Sequence, residues 1–503
     1  MSASRKKKER KAQSAEAPVA QGQPVKKGMS RGLKATLIVV CAIVVIAAVV
    51  FFSMVTGGYF ASHTTAATVG SHNLTPAMVN YFYNAQVYEF EKSYGSYLGI
   101  DAASLSTQVY NEETGETWAD LLMEQALNAA AQTYAIYDEA IANGAALTED
   151  DQSQIDSTIS SYELVATQQG YANVNAYLAA GFGAGCNTKN FAEYLTVTTI
   201  AADYQQQVND GFTYTAEDLA AEYEAKPANY NTYTYRQFLI SDSLFQTDDN
   251  ALSDEELAEK KETLATEMAA STQGDEQAFI DAAYENAAES NKDSYADESY
   301  TLRSTIGSSI VEAQRDWLAD SARQEGDTTA IDVDGTWYVL YYISCDVNDW
   351  QLPNVREIPF AATDASDEDA MNEAKANAEA ALAEYESGEQ TAEAFTALVQ
   401  KYTSDETATG LTENVTPGSG SDEYNAWAFD AARQTGDTAV VQTSTGYSVL
   451  FFDSYGSVYR DTLVETSLRN TAYSDWYTGL TGNASYTEQS FGMRFTPTYS
   501  KPA

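Results

Sequence analysis

The sequence predicts an α+β protein with a single N-terminal transmembrane helix, a helical domain and two tandem copies of a small α+β module. Three observations support this prediction: a charge-free apolar run near the N-terminus, helical periodicity up to about residue 231, and a repeated twelve-residue motif. The predicted segments are a basic stretch (1–34), the membrane helix (35–54), the helical domain (56–231), the two modules (232–347 and 348–456) and a helical tail (457–503).

The apolar run ATLIVVCAIVVIAAVVFFSM occupies residues 35–54, and ten Lys and Arg precede it within the first 34 residues. Roughly 20 apolar residues, at ~1.5 Å rise each, cross a hydrocarbon core of ~30 Å. Because the next charged residue is Glu89, the positive-inside rule predicts a single-pass protein of the cell membrane with a cytoplasmic N-terminus and the bulk of the chain outside. A cleaved signal peptide is the alternative, although its apolar region is usually shorter.

The remainder of the chain is strongly acidic. Setting aside the ten basic and two acidic residues of the first segment from totals of 28 and 73 leaves a net charge of about −53. Such a surface repels phosphate groups, so we expect no nucleic-acid partner. Cys186 and Cys345 fall in different predicted domains, and we expect no disulfide between them.

The module boundaries rest on the repeat. Residues 317–328 read WLADSARQEGDT and residues 427–438 read WAFDAARQTGDT, with eight of twelve positions identical at an offset of 110. This period exceeds the roughly 20–50 residues of solenoid repeats and matches a small domain. Each copy reads as a strand, helices, the motif and two closing strands joined by a tight turn. We expect Trp317 and Trp427 to be largely buried against their own sheets.

Capping signals support the helical domain. Thr75 followed by Pro76 is typical of a helix start, residues 148–151 read as a capping box, and residues 215–218 open a further short helix. The apolar residues that follow recur at helical spacing.

The second copy, with AFTALVQKYTSDETATG before WAFDAARQTGDTAVVQTSTGYSVLFF, resembles the parvulin (PpiC-type) peptidyl-prolyl isomerase domain. The segments ATVGSHNLTPAMVNYFY and YTAEDLAAEYEAKPANYNTYTYRQFLI are similar to the N-terminal domain of SurA/PrsA-type foldases. The resemblance covers about residues 68–454. It implies an extracytoplasmic, membrane-anchored chaperone or foldase that binds unfolded or secreted polypeptides and needs no cofactor. Tyr81, Tyr83 and Tyr88 are then predicted peptide contacts, because tyrosine combines an apolar body with a polar tip.

The sequence departs from this family at its histidine pair. The equivalent positions hold Gln237 and Tyr338 in the first copy and Glu357 and Ser448 in the second. The family's acidic or Cys position falls at Asp405 or Glu406 in the second copy. Rotation about X-Pro has a barrier of ~18–20 kcal/mol but needs no proton transfer, so enzymatic activity stays open, and we expect it to be weak or absent. The alternative is a non-catalytic scaffold or adaptor for a specific cell-envelope partner.

Other chemistry finds little support. The two histidines, His63 and His72, precede both modules, which argues against a Ser-His-Asp or Cys-His site. No ligand spacing indicates zinc, and we expect no metal or cofactor. Gly181, Gly183 and Gly185 lack the preceding strand and the Lys-Ser/Thr of a phosphate-binding loop. The sequence leaves the oligomeric state open.

Overall fold

The computed structural model describes residues 31–100, 103–245 and 252–496 of the 503-residue chain, except for the side chains of residues 31–39, 41 and 96. This part of the chain forms two compact units. The first comprises the described residues of Met1–Gln206 and Thr478–Ala503, and the second comprises Gln207–Tyr477. In sequence, the second unit is therefore an insertion within the first.

The first unit is mostly helical. Its elements up to residue 211 are α1 (Arg31–Thr56), α2 (Tyr59–His63), β1 (Ala67–Val69), β2 (His72–Leu74), α3 (Pro76–Phe90), α4 (Ser96–Leu98), β3 (Val109–Asn111), β4 (Glu116–Thr117), α5 (Trp118–Ala142), α6 (Glu149–Gln168), α7 (Val174–Phe182) and α8 (Thr188–Gly211). Thr75 caps α3 by accepting a hydrogen bond from Met78 N, and Pro76 occupies the first helical position, as predicted. The main core of this unit lies between α3 and α5.

The predicted transmembrane helix requires correction. The apolar run lies within α1, but its side chains are described only from Val40 onward, with Cys41 excepted. Among the residues whose placement is described, no helix is both long and apolar enough to cross a membrane. The assignment of residues 35–54 as a membrane helix is therefore wrong. Most of the basic segment 1–34 lies outside the described residues.

The first module of the second unit spans residues 232–346, after α9 (Ala216–Ala225) and α10 (Pro227–Tyr230). Its elements are β5 (Thr232–Ile240), α11 (Asp254–Thr272), α12 (Glu276–Asn286), α13 (Lys292–Tyr295), β6 (Leu302–Ile306), α14 (Glu312–Leu318), β7 (Thr328–Val333) and β8 (Thr336–Asp346). The four strands form an antiparallel sheet in the order β6-β5-β8-β7. Helices α11 and α12 cover one face, and Phe238 of β5 and Phe279 of α12 are buried in the core between these helices and the sheet. Helix α14 covers the other face through Leu318, which packs with Leu340.

The second module spans residues 351–458. Its elements are β9 (Gln351–Ala361), α15 (Glu368–Glu386), α16 (Ala392–Thr403), β10 (Leu411–Thr412), α17 (Asp422–Ala428), β11 (Thr438–Thr443) and β12 (Gly446–Val458). The antiparallel sheet has the order β10-β9-β12-β11. Helices α15 and α16 cover one face over Ile358 and Phe451, and α17 covers the other through Ala428, which packs with Leu450.

The two modules share one architecture, a sheet between two helical layers with equivalent strand order. In each, the repeated motif begins in the last turn of the helix over one face and continues into the turn that leads to the last hairpin. Each sheet also contains a fourth strand, β6 or β10, that the sequence does not predict. These strands are short and carry no alternating pattern, and they are defined by their hydrogen bonds to β5 and β9.

The chain ends back in the first unit. After α18 (Tyr459–Thr481) come β13 (Tyr486–Glu488) and α19 (Ser490–Met493). Strand β13 pairs antiparallel with β1 to complete a three-stranded sheet in the order β13-β1-β2. The predicted helical tail thus begins as a helix and continues as a strand, while residues 497–503 lie outside the described part.

Candidate functional site

The positions that resemble the family's histidine sites lie on the central strands of the sheets. In the second module, Glu357 on β9 faces Leu450, and Ser448 on β12 faces Pro359. Directly opposed residues of an antiparallel pair project to the same face, so Glu357 and Ser448 are diagonal neighbours beneath α17. Ser448 Oγ donates a hydrogen bond to Glu357 Oε1 at 2.5 Å. The fold therefore brings these two predicted residues together.

The first module has the same register without the same contact. Gln237 on β5 faces Leu340, and Tyr338 on β8 faces Leu239. Both Gln237 and Tyr338 are half-buried on the face covered by α14. In the described part of the chain, no hydrogen bond joins the side chains of Gln237 and Tyr338. The two modules thus differ at this pair, and only the second has a linked polar pair.

Tyr424 on α17 adds a second hydroxyl to the site in the second module. Its side chain is buried, and burial, followed by the negative charge of Glu357, raises the pKa of Tyr424 to about 12. Gly420 allows the preceding loop to lie against the ring, because a Cβ there would approach Tyr424 Cγ to 2.6 Å. The equivalent position of the first module, at the offset of 110, holds Gln314, also buried.

This cluster is poorly suited to isomerising a peptide bond. Ser448 is only 1% exposed, and its hydroxyl already donates its hydrogen bond to Glu357. Only acceptor oxygens of this pair remain for a bound peptide, whereas a twisted amide is stabilised by positioned hydrogen-bond donors. Neither a carboxylate nor a tyrosine with a raised pKa reproduces an imidazole that titrates near neutral pH.

Asp405 has a local structural role. It follows α16, directly after Ser404, whose φ of +57° places it in the left-handed region. Asp405 Oδ1 accepts hydrogen bonds from Thr407 N at 2.8 Å and Thr407 Oγ1 at 2.7 Å. These bonds lower the pKa of Asp405. Its contacts hold an exposed turn, and none reaches the polar pair on the sheet.

The arginines that precede the histidine positions are structural in both modules. Arg236 Nε donates to Glu276 at 2.7 Å, and its NH1 group donates to Thr301 Oγ1 at 2.8 Å. Arg356 Nε donates to Asp453 at 2.7 Å in the second module. Each guanidinium is mostly buried and joins the first strand of its module to neighbouring segments.

The repeated motif forms the same side-chain arrangement twice. Arg323 lies 4.4 Å from the ring centroid of Trp317, and Arg433 lies 4.9 Å from that of Trp427. In each copy the arginine Nε also donates to the tryptophan carbonyl, at 3.2 Å and 3.0 Å respectively. Both tryptophans pack against the core of their own module, as the repeat predicts. Both are half-buried, because one ring face packs on the core and the other is covered by a partly exposed guanidinium.

The tyrosines predicted to contact peptide lie in different environments along α3. Tyr81 and Tyr83 are 2% and 6% exposed, and Tyr81 donates to Asn190 Oδ1 at 2.8 Å. Desolvation raises the pKa of Tyr81 well above its ordinary value and that of Tyr83 to about 12. Neither ring is available to a peptide in this conformation. Tyr88 is 63% exposed, and its contact with peptide stays a prediction.

An aromatic groove lies at the C-terminal end of the same helix, and we define it by Phe90, Tyr94, Tyr110 and Trp118. Its volume is about 420 Å³. Trp118 forms its floor, with ring centroids 5.0 Å from Phe90 and 4.8 Å from Tyr110. Tyr94 and Tyr110 remain 58% and 49% exposed. The groove is accessible, and its lining is largely apolar.

Local backbone structure creates this groove. After α3, residues Glu91–Gly95 form a π-helical turn, a feature that is frequent at functional sites. This turn carries Tyr94, and the hairpin of β3 and β4 carries Tyr110 on the opposite side. The sequence analysis missed the groove because its walls come from three separate segments. The available signal was the clustering of aromatic residues at 88–97 and on both sides of the turn at 112–115.

The remaining candidate residues have structural explanations. His72 Nε2 lies 2.7 Å from Asp138 Oδ1 at an exposed position, and His63 stacks on Tyr59. Gly185 has a φ of +90°, and a Cβ there would approach Ala61 Cβ to 2.7 Å, so this glycine allows close packing of α2. Within the described ranges, no group of His, Cys, Asp or Glu is arranged to hold a metal ion. Cys186 and Cys345 are both free thiols.

Comparison with known proteins identifies no relative: no protein-family model matches the chain, and no curated protein is similar to it.

Proposed function

We propose that this chain is a chaperone that binds unfolded, extended polypeptide segments in the aromatic groove of its first unit. The observation that carries this proposal is the group of large aromatic side chains left open to solvent around Trp118. Large aromatic rings that line an accessible groove suit contact with the apolar side chains of an unfolded segment. A volume of about 420 Å³ also lies within the roughly 300–1,000 Å³ of ligand pockets.

The chemistry of the lining favours sequence-tolerant binding. Tyr94, Tyr110 and Trp118 provide flat apolar area with few rotatable bonds, which lowers the entropy lost on contact. The remaining lining groups include Gln86, Glu89 and Gln125, which can hydrogen-bond a peptide backbone without selecting a side chain. These properties suit reversible contact with many clients.

The proposal includes little or no prolyl isomerase activity. It is supported by the composition of the polar cluster in the second module, where Ser448 is buried and donates to Glu357. The parvulin resemblance of the two modules, on this proposal, reflects a shared fold used for holding polypeptide. The modules need no cofactor for that role.

A site of action outside the cytoplasm is also part of the proposal. Its support is the one-sided charge distribution, with ten Lys and Arg before residues 35–54, which carry none. This distribution is typical of exported proteins. Protease added to intact cells, after removal of any wall, should digest both units, and full protection would contradict this location.

The groove is tested by aggregation of a chemically unfolded client, followed by light scattering in the presence of the full chain. Tyr94→Ala and Tyr110→Ala should each weaken client binding by about 1–2 kcal/mol, a factor of roughly 5–30. Tyr171→Ala removes another partly exposed tyrosine of the first unit, outside the groove, and serves as the control. Equal protection by all variants would refute the groove as the client site.

Isomerisation of a short X-Pro peptide, measured with the same preparation, distinguishes the alternatives. The chaperone proposal expects suppressed aggregation with almost no acceleration of isomerisation. Robust turnover would show that the histidine pair is dispensable here. Inactivity in both assays would contradict the proposal and favour an adaptor that binds one specific partner.

A further inference from the structure

A second groove lies where the two modules of the second unit are joined. We call it the junction groove and define it by Asp346, Trp350, Phe429 and Tyr455. It has a volume of about 600 Å³, and Pro353 and Pro417 also line it. One wall comes from the link between β8 and β9, and the other comes from the end of α17 and the loop before it. No residue of the aromatic groove contributes to it.

The walls of the junction groove are held in place by their own contacts. The Trp350 ring lies 5.7 Å from Phe429 and 4.9 Å from Tyr459, and its Nε1 donates to Asp346 Oδ2 at 3.1 Å. On the opposite side, Asn425 accepts a hydrogen bond from Gly418 N at 2.9 Å and donates to Gly420 O at 2.8 Å. A ligand would therefore meet a preformed surface and would pay little to order it.

The charge of this groove is negative and partly uncompensated. Asp346 accepts hydrogen bonds from Asn348 N and Trp350 Nε1, which are both neutral donors. Asp346 has no Lys, Arg or His within ion-pair distance among the described residues, and none of these residue types lines the groove. Asp430, the other lining carboxylate, is paired with Arg433 at 3.1 Å. The free charge of Asp346 thus lies beside exposed aromatic faces.

The first module forms the same fold without the aromatic side chains that wall the junction groove. At the offset of 110, Phe429 and Tyr455 correspond to Ala319 and Cys345. The first sheet forms the same strand order with those smaller side chains. The aromatic walls of the junction groove are therefore additional to the requirements of the architecture.

We propose that the junction groove binds a short extended polypeptide segment in which an Arg or Lys side chain is flanked by apolar or proline residues. The cation would pair with Asp346 and lie over the face of Trp350 or Tyr455, where a cation–π contact strengthens the attraction. Aromatic and proline walls suit a flanking segment in the polyproline conformation. This site is separate from the aromatic groove, and the inference does not require the proposed chaperone activity.

The test uses two fluorescein-labelled decapeptides, one with a central Arg between Pro and Leu and one with Gln in its place. Each is titrated with the full chain, and binding is followed by anisotropy. The Arg peptide should bind up to about fivefold more tightly, the factor that an exposed ion pair contributes, and this advantage should disappear near 0.5 M salt. Equal binding of the two peptides to the original chain at low salt would by itself overturn the proposal.

Variants then locate the site. Asp346→Asn should reduce binding of the Arg peptide to the level of the Gln peptide, whereas Asp349→Asn, which removes an exposed charge outside the groove, should not. Phe429→Ala installs the residue of the first module and should weaken both peptides. The proposal fails if these variants bind like the original chain, or if only Trp118→Ala in the aromatic groove removes binding. If Tyr94→Ala and Tyr110→Ala lose aggregation suppression but still bind the Arg peptide, the junction groove binds its peptide independently of the aromatic groove.

Discussion

Replacing Asn348 by alanine should destabilise the second unit by about 2–5 kcal/mol. Asn348 lies in the link between the modules with a φ of +55°, and its side chain is buried. Its Nδ2 donates to Tyr230 O at 2.7 Å, and its own carbonyl accepts from Arg460 N at 2.8 Å. One residue therefore connects the start of the first module, the link and the helix after the second module.

The magnitude has two separable parts. An alanine with positive φ costs about 1–2 kcal/mol relative to glycine. Leaving the buried Tyr230 carbonyl without its donor costs about 1–3 kcal/mol more. Asn348→Gly removes only the hydrogen bonds, so it should cost the second amount alone and be the more stable of the two variants.

Urea unfolding followed by tryptophan fluorescence measures both variants. With a slope of about 1–3 kcal/mol per molar urea, the alanine variant should unfold at a midpoint lower by about 0.7 M or more. The full chain has two units, so the transition that shifts must be the one assigned to the second unit. Equal midpoints for the alanine and glycine variants would refute the backbone argument. An unchanged midpoint for glycine would refute the hydrogen-bond argument.

Three further predictions follow from contacts described above. Trp317→Ala and Trp427→Ala should each cost about 2–3 kcal/mol in urea unfolding, below the ~3–5 kcal/mol of a fully buried ring, because both are half-buried; a large difference between them would contradict their equivalence. The capping-box hydrogen bonds of α6 lower the pKa of the Asp151 carboxyl in the folded chain. Their contribution to stability is therefore present above the pKa that Asp151 has in the unfolded chain, and it is lost as the pH falls through the folded pKa. Asp151→Asn should remove part of the acid dependence of the melting temperature, and an unchanged pH profile of that temperature would contradict the argument. Burial raises the pKa of Cys186 to about 11 and encloses its thiol, whereas Cys345, whose pKa desolvation also raises, is exposed. Iodoacetamide at pH 8 should therefore label Cys345 and spare Cys186 until the chain unfolds, as mapped by peptide mass spectrometry.

Much of the fold could be predicted because local signals agreed with the final packing. The strand predicted at the start of the first module matches β5, and the helix starts predicted at 148–151 and 215–218 begin α6 and α9. These features depend on neighbouring residues alone. The repeated motif was informative for the same reason, since its turn and its Trp–Arg stack form within one short segment.

The grooves could not be predicted, because they depend on residues that are distant in sequence. Trp350 and Phe429 meet only after the second module has folded, and Phe90 and Trp118 meet only when α3 packs against α5. Periodicity likewise could not separate Tyr81 from Tyr88, since burial on α3 is decided by the helices around it. The resemblance singled out Glu357 and Ser448 as positions, but no local pattern predicts the hydrogen bond between them.

The pairing of β13 with β1 has a consequence for the order of folding. Thr68 pairs with Thr487, so more than four hundred residues are synthesised between the two strands of this sheet. The inserted unit, whose contacts are internal, is complete in the emerging chain before that sheet can close. A ribosome-bound chain would therefore expose the unpaired edge of β1 until β13 has emerged. Such an edge invites pairing with foreign strands, and early release or truncation before residue 486 should make the product prone to aggregate.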